Sequence, residues 1–105
     1  MISTPSGSTA YSTSAGGSLI DPSLDVMHIV PLYPFHSNVR PMVIPVDKKI
    51  EIKIEEGDCS LIVDGHEGDY LKPGTEFVVE KGEPLKLVSL EKYDFYNKFK
   101  KTFVK

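Results

Sequence analysis

Across residues 49–55 apolar and charged residues alternate without a break. Ile50, Ile52 and Ile54 fall on one face, and Lys49, Glu51, Lys53 and Glu55 on the other. A period of two predicts an antiparallel strand with one face buried and one in water. Shorter apolar runs predict further strands over residues 26–32, 42–44, 60–63, 69–71, 75–81 and 85–90. Turn chemistry separates them. Asp64-Gly65 is a hairpin signal, Lys72-Pro73-Gly74 has Pro and Gly placed for a type II turn, and Glu56-Gly57-Asp58 and Gly82-Glu83-Pro84 supply two more turns. Ile20-Asp21-Pro22-Ser23 is a further break, because Pro22 lacks an N–H and Asp21 can bond its own backbone. Pro31 marks a strand end or an edge. Strands repeating at roughly ten-residue spacing predict a mainly β fold, an antiparallel β-sandwich or meander.

The period changes at both ends of the chain. In the tail, residues 93–104, Phe95, Phe99 and Phe103 stand four apart with Lys98, Lys100 and Lys101 between them, which predicts a short amphipathic helix or an extended arm. At the other end, residues 2–22 hold six Ser, three Thr and three Gly between Ser3 and Ser18, and no charge before Asp21. Composition alone reads as a linker. Against that, Ala10, Tyr11 and Ala15 are packing groups, and Pro5 fixes the backbone after an extended Thr4. A short helical turn is expected over residues 9–15, stopping at Gly16-Gly17. A small-residue loop opening a helix presents backbone N–H groups and lets a ligand approach closely.

Charge sharpens this division. All 12 Lys and Arg lie at or after Arg40, and the first 39 residues hold only Asp21 and Asp25 as acidic groups. A buried or interface role for the first third follows from that. The 105 residues suggest one domain, 1–105, able to bury roughly two-thirds of its unfolded surface. A net charge of −3 gives no reason to propose nucleic acid or an anionic membrane as partner. The single Cys59 excludes an internal disulfide and suits a reducing cytoplasm. No long apolar run or secretory leader is evident, so no membrane span is expected.

Candidate chemistry is sparse. His28, His36 and His66 form no metal-binding spacing, and no carboxylate pair reads as an acid and base. No metal site is expected from the chain's own residues. His28 is expected on a sheet surface, and His66 in the Asp64-Gly65 hairpin. Gly7-Ser8-Thr9 lacks the Gly-Lys-Ser/Thr of a P-loop, the third Gly of a dinucleotide fingerprint and the flanks of a nucleophile elbow. Thr9, Ala10, Tyr11 and Ser14 can be read as a ligand shelf, with a Tyr ring to stack on a base. The other reading is a capped helix start packed into the sandwich, which composition alone favours. Tyr33 and Phe35 lie in a Pro-bounded loop over residues 33–41, either at an interface or folded back on the sheet.

The stretch STPSGSTAYSTSAGG resembles the central signature of NAD kinases, whose usual form is S-T-P-T-G-S-T-A-Y-x-x-S-A-G-G. Pro31-Leu32-Tyr33-Pro34, Arg40-Pro41 and Val63-Asp64-Gly65 recur downstream in the order that family shows. The departures are Ser6 for the usual Thr, Ser18 for a frequent Pro, and Phe35 where many members have His. The resemblance implies the antiparallel β-sandwich of the family's C-terminal domain, with one short helix near the N-terminus. It implies that Ser6, Thr9, Ala10, Tyr11 and Ser14 line a dinucleotide site. Tyr33, Phe35 and His66, with Asp64 beside it, become candidates for contact with ligand or with a neighbouring subunit.

The family's activity is phosphorylation of the adenosine ribose 2′-hydroxyl of NAD. Its implied partners are NAD, ATP or polyphosphate, a second copy of the chain, and Mg²⁺ or another divalent cation accompanying the donor. Its base is the Asp of a Gly-Gly-Asp-Gly loop, absent from these residues. No catalytic residue is therefore expected within them, and the chain resembles the C-terminal half, beginning abruptly at Met1-Ile2. The alternative is a non-catalytic β module that binds a nucleotide or associates with another protein.

Overall fold

The computed structural model describes residues 1–9, 16–32, 38–84 and 94–103. The chain forms two compact units, Met1–Val46 with Glu83–Lys105, and Asp47–Gly82. Both are built on antiparallel β structure, the class expected from the alternating pattern.

The first unit holds a three-stranded sheet in the order β1 (Ile2–Ser3), β2 (Val26–Ile29), β3 (Met42–Pro45). Ile2 lies opposite Ile29 and Ser3 opposite His28. Across the other edge of β2, Met27 faces Ile44 and His28 faces Val43. The ladder runs one residue past β1, because the Val30 N–H donates to the Met1 carbonyl and the Met1 amine to the Val30 carbonyl, both at 2.8 Å.

Among the described residues, the buried ones are Ile20, Met27, His28 and Val30, all in the first third of the chain. Met27 and His28 are neighbours in one strand and so point to opposite faces. β2 is therefore covered on both sides. This corrects the expectation that His28 faces a sheet surface: it is 1% exposed. A middle strand buried on both faces reads as a continuous apolar run and gives no sign of which side is wet. β3, at the edge, leaves Met42 and Val43 exposed. The break before β2 forms as expected. The Ser23 N–H donates to Asp21 Oδ1 at 2.8 Å and the Leu24 N–H to the Asp21 carbonyl at 3.1 Å.

The α-helix forms in the tail, where the aromatic spacing allowed one, and most of the helical turn expected over residues 9–15 lies outside the described residues. Near the N-terminus the described structure is a 3₁₀ turn, Ser6–Thr9. Gly16 has φ of 86°, the left-handed conformation expected of a helix stop, while residues 10–15 lie outside the described residues. The α-helix among the described residues is near the C-terminus, α1 (Phe95–Phe103). Asp94 starts it: its Oδ1 accepts the Asn97 N–H at 3.2 Å and its carbonyl the Lys98 N–H at 3.1 Å. Lys100 and Lys101 occupy the last turn, where cations suit the helix dipole. Phe95 and Phe99 are half-buried and Tyr96, Lys98 and Lys100 exposed, so the four-residue aromatic spacing marks a helix rather than an extended arm.

In the second unit β4 (Ile50–Lys53) pairs with β7 (Glu76–Val79), and β5 (Cys59–Val63) with β6 (His66–Leu71). Ile50 opposes Val79 and Ile52 opposes Phe77, so the four half-buried side chains share a face. On the wet face Lys53 reaches Glu76 at 3.9 Å, and beyond the strand ends Lys49 reaches Glu80 at 3.4 Å. Both pairs are exposed and add little stability. The Thr75 N–H donates to the Lys72 carbonyl at 3.1 Å, and Gly74 has φ of 91°, which is the type II turn read from Pro73-Gly74.

The β5–β6 hairpin turns on Asp64 at φ 50° and Gly65 at φ 77°, the paired left-handed conformations of a type I′ turn. β6 starts at His66, earlier than the expected residue 69. A two-residue turn puts Val63 opposite His66 at once, whatever the side-chain pattern. The register shifts between Ser60 and Ile62, and there Gly68 passes Leu61 so closely that a Cβ would lie 2.7 Å from its carbonyl oxygen. The strand expected over residues 85–90 lies outside the described residues.

Candidate functional site

Ser3 ends β1, and the chain turns at once into Ser6–Thr9. Thr4 closes the turn, its Oγ1 accepting the Gly7 N–H at 3.2 Å. Pro5, with a fixed φ and no N–H to satisfy, suits the start of such a turn. Ser3 is held by β2: it sits opposite His28, and its Oγ is buried with no hydrogen-bond partner among the described residues. The turn is thus anchored on the most buried strand of the first unit while Ser6 is exposed beyond it.

This places Ser6 and Thr9, two of the expected dinucleotide residues, in one turn. Ala10, Tyr11 and Ser14 lie outside the described residues, as do Tyr33 and Phe35. His66 is the first residue of β6, exposed, and belongs to the second unit together with Asp64. Among the described residues no three His, Cys, Asp or Glu side chains gather so as to hold a metal ion. Cys59 is a half-buried free thiol.

Electrostatics in the first unit centre on two groups. Burial pushes the pKa of His28 below its ordinary 6.5. Asp21 is held below 3.8, first by the hydroxyl of Tyr96 and then by the backbone N–H of Ser23. Sequence reasoning missed both roles. His28 carries no period to reveal its burial, and nothing local links Asp21 to Tyr96.

The described residues thus form mainly antiparallel β structure, with the first sheet leading directly into a serine- and threonine-rich turn. The ATP-NAD kinase C-terminal domain matches residues 1–90, and the chain belongs to that family. It is 38% identical over 108 residues to the NAD kinase of Clostridium perfringens, covering 100% of this chain and 39% of that protein. It is 42% identical over 108 residues to the NAD kinase of Methanosphaera stadtmanae, covering 98% of this chain and 35% of that one. Against the bifunctional NADP phosphatase/NAD kinase of Methanococcus maripaludis it is 38% identical over 101 residues, 96% of this chain and 18% of the relative. The chain therefore spans from 18% to 39% of the length of these relatives. Among the described residues no helix is long and apolar enough to cross a membrane.

Proposed function

We propose that these residues form the dinucleotide-binding part of a cytoplasmic NAD kinase, which transfers a phosphoryl group to the adenosine ribose 2′-hydroxyl of NAD and yields NADP. The observation that carries the reading is the family match over residues 1–90, which includes the whole serine- and threonine-rich stretch. In it, Ser6, Thr9 and Ser14 offer hydroxyls to orient the ligand, Ala10 leaves room for it, and Tyr11 supplies a ring to stack on it. Tyr33, Phe35 and His66 touch the ligand or a second subunit of a homo-oligomer. ATP or polyphosphate is the donor, and the accompanying divalent cation neutralises phosphate charge. The general base is the Asp of a Gly-Gly-Asp-Gly loop, which these 105 residues do not contain.

Calorimetric titration of the purified chain with NAD tests the binding claim. Saturable heat with one site per chain supports it. Absence of binding would leave the non-catalytic association module as the better reading. Incubation with ATP, Mg²⁺ and NAD is expected to form no NADP, and turnover that follows the purified chain would refute the assignment of the base.

A further inference from the structure

Gly7 is not a glycine because of its backbone: among the described residues the left-handed glycines are Gly16, Gly57, Gly65 and Gly74. It is a glycine because of what a side chain there would meet. A Cβ on Gly7 would lie 3.2 Å from the Cβ of Ser3, closer than ordinary contact, with Thr4 Oγ1 at 3.5 Å and Ser3 Oγ at 4.0 Å. Ser3 has little freedom to give way. It is paired with β2, opposite the fully buried His28, and its own hydroxyl is buried. The Gly7 N–H is meanwhile tied to Thr4 Oγ1. Ser3 of β1, His28 of β2, Thr4 and Gly7 thus set the height of the turn above the sheet.

We propose that Ser3, paired with β2 opposite His28, is a positioning residue: its Cβ leaves no room for a side chain at Gly7, and this close approach fixes where the Ser6–Thr9 turn presents itself to the dinucleotide. The role in ligand binding rests on the function proposed above; the role in seating the turn does not.

A cycle of Gly7→Ala, Ser3→Gly and the double variant tests it in the full chain. Adding a methyl against Ser3 is an overpacked contact, so Gly7→Ala is expected to weaken NAD binding about tenfold, and by less than about threefold when Ser3 is already Gly. The amide resonances of Ser8 and Thr9, read without ligand, are expected to move in Gly7→Ala and to return in the double variant. Native-like dispersion of the amides of β2 and β3 reports that the first unit is folded in each variant, and thermal midpoints follow the same cycle if assignment fails for one of them. Equal loss from Gly7→Ala in both backgrounds would mean that the methyl strikes the ligand, and would overturn the proposal. So would unmoved Ser8 and Thr9 resonances. If the unmutated chain binds no NAD, the functional reading fails while the resonances still decide the seat.

Discussion

The phenol of Tyr96 donates a 2.6 Å hydrogen bond to Oδ2 of Asp21, across 75 residues of chain. The other oxygen of the same carboxylate accepts the Ser23 N–H. One side chain therefore closes the turn that follows the serine-rich stretch and holds α1. A helix of nine residues is too short to persist alone in water, so its order depends on what it docks against. Phe95 and Phe99 are half-buried, and the Asp21–Tyr96 bond ties the helix to the turn.

The bond should be pH-limited at both ends. Asp21 is depressed below 3.8, so its contribution is present above that value and lost as pH falls through the lowered one. Tyr96 is raised above 10.0, first by its bond to Asp21 and then by that residue's charge. Its contribution is present below 10.0 and lost as pH rises through the raised value. Amide hydrogen exchange in α1 is the measurement. Protection beyond the intrinsic pH dependence should hold through neutral pH and fall at both extremes. Tyr96→Phe should flatten the profile, and an unchanged profile in that variant would show that the bond does not hold the helix.

His28 sets a second dependence, nearer neutrality. Its pKa is lowered by burial, so the folded chain keeps it uncharged. The sign follows: its contribution is complete above 6.5 and is lost as pH falls through the depressed value. Urea melts at falling pH should show the unmutated chain losing stability ahead of His28→Gln. An imidazole titration by NMR with a midpoint above 6.5 would contradict the burial.

How much was legible follows from where each residue faces. Ile50, Ile52 and Ile54 announced their strand because it has one dry face, and a period of two survives only in that case. Val26, Met27, His28 and Ile29 form a strand dry on both sides, where the period vanishes and a buried His reads like an exposed one. The Phe spacing of the tail found α1, but the helix bonds to Asp21, and no local pattern encodes a partner so distant in sequence. Of the residues proposed to bind the dinucleotide, Ser6 and Thr9 share a turn that the motif marked. Ser3 was not singled out, since its close approach to Gly7 across that turn is nothing composition can show.

The two glycines of the β5–β6 hairpin separate backbone strain from steric contact. Gly65 has φ of 77°, and a Cβ there meets nothing within 4 Å. Gly65→Ala should therefore cost only the left-handed penalty, roughly 1–2 kcal/mol. Gly68 is not left-handed, but its Cβ would press at 2.7 Å on the Leu61 carbonyl oxygen, a backbone atom beside the register shift. Gly68→Ala must move a strand and should cost more, about 2–3 kcal/mol. Urea melts compare the two directly, and the reverse order would refute this account of the hairpin.

Tyr11 gives the sharpest test of the proposed dinucleotide site, because its two readings part on measurement. If its ring stacks on NAD, Tyr11→Ala removes that contact and should weaken binding by roughly 1–3 kcal/mol, about 5- to 150-fold. Tyr11→Phe keeps the ring and should retain most of the affinity. If the ring instead packs against the protein, Tyr11→Ala lowers the thermal midpoint in the absence of ligand, and affinity follows only through the fraction folded. Calorimetric titration with NAD, paired with thermal melts of the free protein, separates the two. Weakened binding at an unchanged midpoint supports stacking, whereas a lowered midpoint with affinity preserved at low temperature assigns Tyr11 to packing and removes it from the site.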